Sequence, residues 1–256
     1  MKTFIAKTIL RRQLQRLLRD PHPFNQLMGE AVGLQSGKMS DEEFRKRLDA
    51  FYAALDLQTI KQDLDLPAKA QRLDRPGGYK TDISSIGPAQ GRPGRFDFWA
   101  RRFALLRHIG VRCDVLILRH GERIPPHGHH RVVSGFYVLD GSVAIRHYDR
   151  AGETDTGLLV RKVLDTTLGP GGFTTNSESY HNIHWLQGLA EKSFLFRVTV
   201  VDTPAPQGTR VEHSDSRLYI DPTGTPDASG LIHAPFVSEA QAKQLMIVPL
   251  EAATSA

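Results

Sequence analysis

Read as a string of apolar and polar positions, the chain changes period once, near His108. Before that point apolar residues recur at three- and four-residue intervals: Phe4, Ile5, Ile9, Leu10, Leu14, Leu17 and Leu18, and later Phe44, Leu48, Phe51, Tyr52 and Leu55. Such spacing lines one face of a helix, so helices are predicted over residues 2–20 and from Ser40 onward. The "DPHP" segment after Arg19 stops the first, and Ser40 with Glu43 forms a capping-box start for the second. The second stripe is expected to pack on the main domain. Residues 67–95, with "RPGGYK" and "SSIGPAQGRPG", read as an irregular connection, a lid or a linker. "FDFWARRFALL" fits a helix or a strand.

Beyond His108 the texture is that of strands. "VRCDVLILR", "VVSGFYVLDG", "SVAIRHYDR", "GLLVRKVL", "HNIHWLQG" and "KSFLFRVTVV" are short runs rich in β-branched and aromatic residues, bounded by Gly, Pro, Asp and Asn. This rhythm predicts a sandwich or barrel. In "LDGSV", Asp140-Gly141 supplies the positive φ of a tight hairpin turn. From Thr203 the chain is loop-rich, with "SEAQAKQLM" as a last short helix. Three parts result: a helical extension over 1–66, the connection over 67–95, and a mainly β domain over 96–256.

The 256 residues are 40% hydrophobic and 24% charged, without a run of 18 apolar residues or a cleavable leader, which predicts a soluble cytoplasmic protein with no membrane partner. The net charge of +5 is concentrated early, where Lys2, Lys7, Arg11, Arg12, Arg16 and Arg19 face only Asp20. That excess is read as a solvated helix face, and no nucleic-acid partner is expected. The single cysteine, Cys113, excludes an internal disulfide and alternates with Val111, Val115 and Ile117, as a buried structural thiol would.

Chemistry concentrates in "HGERIPPHGHHRVVSGFYVLDG", where four histidines fall within eleven residues. Residues i and i+2 of a strand share a face, so His127 and His129 can aim two imidazoles at one point, with His130 facing away. A second histidine strand, "YHNIHWL", carries His181 and His184. Three residues apart, these lie on opposite faces, and only one can join the pair without a bulge.

Gly121, five residues, His127-x-His129 and the later Gly141 resemble the first motif of the cupin superfamily, with Ser134 where that motif carries glutamate. "GPGGF" resembles the second motif, but its usual histidine position holds Thr175. Both departures are similar to the cysteamine dioxygenase and plant cysteine oxidase family, a thiol-dioxygenase branch of the cupins. That family lacks the glutamate and carries its third ligand in an Asn-Ile/Leu-His strand. "IPPHGHHRVVSGFYVLDGSVAIRHYD", "NIHWL" and "FLFRVTVVDTP" resemble its segments, as does the helical N-terminal extension. The resemblance implies a cupin double-stranded β-helix (jelly-roll barrel) and metal ligands His127, His129 and His184, His181 being the rival third ligand. It does not imply a Cys-Tyr crosslink, because Ser134 stands in the crosslinking cysteine's place.

Three neutral imidazoles leave a divalent ion its full charge and open positions, suited to an anionic substrate bound directly to metal. Iron(II) is the cofactor the resemblance implies, with zinc, nickel and copper as alternatives. The expected partners are a small thiol or a carboxylate-bearing substrate and dioxygen. Arg131 and Arg123 are candidates to clamp a carboxylate, and Tyr137 and Tyr148 to hydrogen-bond bound oxygen. Phe136, Val138, Ile183 and Trp185 are expected to form a dry wall. A zinc hydrolase or lyase, and a non-enzymatic sensor with the basic N-terminus as an arm, are the competing readings. Sheet edges leave room for a homodimer.

Overall fold

The computed structural model describes residues 23–74, 80–82, 110–201, 203 and 217–249. The helix expected over residues 2–20 and the segment 96–106 lie outside them. Helices α1 (Pro23–Gln35), α2 (Asp41–Ala53), α3 (Leu57–Asp63) and α4 (Leu66–Leu73) come first. Ser40 caps α2 as expected: its hydroxyl accepts from the Glu43 N–H while the Glu43 carboxylate accepts from the Ser40 N–H. The segment read as irregular from Pro67 is instead helical to Leu73, with Pro67 in the first turn, where a missing N–H costs nothing, and strand β1 (Lys80–Asp82) follows.

Then come β2 (Val111–Arg119), β3 (Arg123–Gly128), β4 (Val132–Asp140), β5 (Val143–Thr154), β6 (Gly157–Leu168), β7 (Phe173–Asn176), β8 (Ile183–Gly188), β9 (Lys192–Val201), β10 (Leu218–Tyr219) and β11 (Ile232–Pro235). Helix α5 (Glu239–Ala242) follows, inside the segment where a last short helix was expected. The strands form two antiparallel sheets, ordered β1-β2-β9-β4-β7 and β10-β3-β8-β5-β6-β11. From β2 to β9 the chain crosses between sheets at every step except β5 to β6. The protein is therefore a double-stranded β-helix, the jelly-roll architecture of cupins among others. No helix among the described residues is long and apolar enough to cross a membrane.

One expected feature changes meaning here. Gly141 does adopt φ +76°, but β4 pairs with β7 and β9 while β5 pairs with β6 and β8. The turn therefore carries the chain from one sheet to the other and closes no hairpin. A side chain at Gly141 would press on the Lys192 carbonyl, which is why glycine is needed beyond its dihedral.

The first sheet is buried on both faces. Val111, Cys113, Val115 and Ile117 of β2, Val133 and Tyr137 of β4, and Phe194, Phe196, Val198 and Val200 of β9 face the helices. Leu116, Leu118, Phe136, Val138 and Leu195 face the barrel interior. Cys113 is thus a buried thiol against the helical layer. The α2 stripe seats Phe44, Leu48, Phe51 and Tyr52 on this sheet. The Tyr52 hydroxyl donates to the Gly135 carbonyl (2.9 Å) and accepts from the Val198 N–H (3.1 Å), bridging two opposed residues of β4 and β9.

Candidate metal centre

The site is built where β3, β8 and the turn after β3 meet inside the barrel. Pairing between β3 and β8 shifts register between Ile124 and His127, at Pro125-Pro126. Proline has no N–H for the ladder, and the irregularity lets Ile124 and His127, three apart in sequence, both line the interior. His129 follows two residues later. His184 stands opposite His127 across the β3–β8 ladder, and opposite His147 on β5.

Among the described residues, His127, His129 and His184 are the one group of three or more metal-type donors, their ligand atoms all within 4.8 Å of one another. The His127 Nδ1–H donates to the Pro125 carbonyl at 2.7 Å, which leaves Nε2 with its lone pair turned inward. That Nε2 lies 2.9 Å from His129 Nε2. Two nitrogens about 2.1 Å from one ion are about 3.0 Å apart at a right angle and about 3.4 Å apart at a tetrahedral angle. The observed spacing suits two donors to one ion and equally an N–H···N hydrogen bond between the two rings. His184 Nδ1 is buried with no hydrogen-bond partner among the described residues.

Burial, above all, keeps these rings neutral. It holds His129 down to about 3 and His127 and His184 well below the ordinary imidazole value, with neighbouring histidines and Arg217 adding to the effect. Buried neutral imidazoles with converging lone pairs and an orphaned nitrogen are costly without a cation between them. The donor set therefore fits a divalent metal.

The cavity in front of the histidines has a volume of about 220 Å³. Its apolar lining is Ile124, Val132, Phe136 and Val201, and its polar lining is Ser134, Thr199, Arg112, Arg197 and Arg217. Among the described residues, none that lines it is acidic. Ser134 occupies the wall where the cupin motif would put glutamate, and its hydroxyl donates to Asn176 Oδ1 at 2.7 Å. Thr175, at the motif's other ligand position, faces away and donates to Asp49 Oδ1 of α2 at 2.6 Å.

Several expected site residues lie elsewhere. Tyr137 has the parity of Val133, so it faces the helices: it stacks on Tyr52 and donates to the Leu55 carbonyl. Arg131 sits at φ +57° in the turn after β3 and donates Nε–H to the Thr203 carbonyl at 2.6 Å, outside the cavity lining. Arg123 donates to the Leu245 carbonyl, and Tyr148 packs in an outer cluster with Leu158, Val160 and Ile220. His181, at φ +51° just before β8, turns its Nδ1 to His147 Nδ1 at 3.2 Å and is not one of the converging donors. Of the expected wall, Phe136 lines the cavity and Val138 the core behind it, whereas Ile183 and Trp185 are on the outer face of β8.

Sequence reading missed Arg112, Arg197, Thr199 and the buried His147. Strand parity in "VRCD" and "FLFRVTVV" would have found the first three, because each shares a face with interior residues.

Neither a protein-family model nor a curated relative matches the chain. Solved structures similar to part of it include procruciferin, an 11S globulin from Brassica napus (13% identity, 38% of this chain and 22% of that one, TM-score 0.31). A cupin superfamily protein from Desulfitobacterium hafniense DCB-2 is 16% identical over 36% of this chain and 68% of its own, with a TM-score of 0.27. KdgF from Halomonas sp. is 19% identical over 36% and 69%, with a TM-score of 0.27. The chain spans about a fifth of the globulin's length. Strand order, rather than these partial alignments, carries the fold assignment.

Proposed function

We propose that this protein is an iron(II)-dependent thiol dioxygenase. The observation that carries the reading is a centre of three neutral histidines with Ser134 in the place of a carboxylate, in a cavity whose lining holds no acid among the described residues. His127, His129 and His184 would hold the ion. Bound iron(II) would supply a position for the substrate sulfur and for dioxygen, both oxygen atoms passing to sulfur so that a thiol and O₂ give a sulfinic acid.

The chain's own residues prepare that site. Pro125 fixes the His127 tautomer through its carbonyl. Ile124, Val132, Phe136 and Val201 keep the reacting end dry, and the surplus of positive charge in the lining favours an anionic reactant. With no carboxylate among the described residues of the lining, loss of the thiol proton would rely on the site's positive field and on solvent.

Oxygen uptake by iron-loaded protein, coupled to detection of sulfinate from small thiols, tests this reading. One O₂ consumed per sulfinate formed is the expected result. Zinc copurifying at full occupancy, with no thiol-dependent oxygen uptake after iron loading, would overturn it.

A further inference from the structure

The cavity lining also holds a polar cluster that the histidines do not account for. Arg112 faces Thr199 across the β2–β9 ladder, and Asp114 faces Arg197 two positions further on. The Asp114 carboxylate accepts from Arg197 Nε (2.9 Å) and Nη2 (2.7 Å), which locks the guanidinium and leaves Nη1 outside that fork. Thr199 is only 8% exposed, lines the cavity, and its hydroxyl is buried with no hydrogen-bond partner among the described residues. Arg217 reaches the same cavity from the residue before β10, the strand that pairs with His127 and Gly128.

A buried donor left unsatisfied is costly, and natural proteins retain few of them. Here it sits beside a preset guanidinium, with two further arginines lining the same space. Among the described residues Asp114 offsets the charge of Arg197, and Arg217 adds a further positive charge to the same lining. Arg217 also shares the field of the exposed Glu239, which is itself paired to Lys243.

We propose that these groups form an anion seat, and that the ligand reaching the histidines is a short mercaptocarboxylate. An aminothiol would bring its ammonium against the arginines, a like-charge contact that a carboxylate avoids. The sulfur end of the proposal rests on the thiol reading above, whereas the seat itself does not.

Calorimetric binding to the full chain, metal-stripped and iron-loaded under argon, separates the two. The probes are mercaptoacetate, 3-mercaptopropionate, propionate and cysteamine. In iron-loaded protein at least one mercaptocarboxylate is expected to bind ten-fold or more tighter than cysteamine. In stripped protein propionate is expected to bind weakly but measurably, losing five-fold or more in Thr199→Val and in Arg217→Gln. Thr199→Val removes an unpaired buried hydroxyl, so its unliganded stability is expected to be equal to or above that of the parent while its carboxylate affinity falls. Cysteamine binding as tightly as the mercaptocarboxylates, or carboxylate affinity unchanged in both variants, overturns the seat. Propionate binding that depends on Thr199 and Arg217, with no added affinity from the thiol in iron-loaded protein, keeps the seat and sinks the thiol reading instead.

Discussion

His127 and His184 face each other across β3 and β8 with ring centroids 4.3 Å apart, and His129 completes the cluster at 4.5 Å from His127. The contact exists because the Pro125-Pro126 irregularity returns β3 to the barrel interior three residues after Ile124. A regular strand would have turned His127 outward.

That crowding has a pH consequence. Burial first, then His181, holds His147 down to about 3 from an ordinary 6.5. In the unfolded chain this imidazole takes a proton near 6.5, so the unfolded state binds more protons between the two values. The stability it contributes is complete above about pH 6.5 and is lost as pH falls toward 3, at about 1.4 kcal/mol per unit. Urea titrations of metal-stripped protein between pH 7 and pH 5 are expected to show this fall, with a slope shallower by about 1.4 kcal/mol per unit in His147→Asn. An unchanged slope in the variant would contradict the buried neutral state of this ring.

Tyr52 joins the helical layer to the barrel. Tyr52→Phe strands the Gly135 carbonyl and the Val198 N–H in a buried ladder, and is expected to cost about 1–3 kcal/mol in urea unfolding. Gly135→Ala places a methyl 2.5 Å from the Tyr52 ring and 2.9 Å from Thr175 Cγ2, and is expected to cost a similar 1–3 kcal/mol or more. A neutral outcome for both would mean that α2 does not seat as described.

Most of the barrel was legible in residue texture, because runs such as "VRCDVLILR" and "KSFLFRVTVV" coincide with β2 and β9 to the residue. What texture could not show was which face is which. The helices bury the outer face of the first sheet, so β4 is buried from Val132 to Leu139 and offers no apolar–polar alternation to assign Tyr137 to the helices or Ser134 to the cavity. Asp140-Gly141 announced a turn without saying that its flanking strands belong to different sheets. The His127-x-His129 spacing was visible, but it gained weight only from the motif around it, and the strand ends at Gly128, so His129 joins from the turn rather than from the strand face. The choice of His184 over His181 rested on resemblance, and its physical reason, a positive φ that turns His181 toward His147, is invisible in sequence. Arg217 follows a long loop and carries no local signal at all.

Gly141→Ala forces a side chain to φ +76° and onto the Lys192 carbonyl. A loss of about 1–3 kcal/mol is expected from backbone strain at such a position, read as a lower urea midpoint with an unchanged slope. Parent-like stability would contradict the inter-sheet turn.

Metal should stabilise the folded chain by mass action. With the ion at about a thousand times its dissociation constant the gain is about 4 kcal/mol, and each kcal/mol moves the melting temperature of a chain this size by about 2–4 °C. Chelation is therefore expected to lower the melting temperature by about 10 °C, reversibly on adding iron(II). An identical melting temperature with and without chelator would mean that the buried histidines hold no ion.

The most direct measurement is elemental analysis of purified parent, His184→Ala and His181→Ala. About one iron per chain is expected in the parent, near-complete loss in His184→Ala, and retention in His181→Ala. Stoichiometric metal in His184→Ala, or its loss only in His181→Ala, would contradict the three-histidine centre.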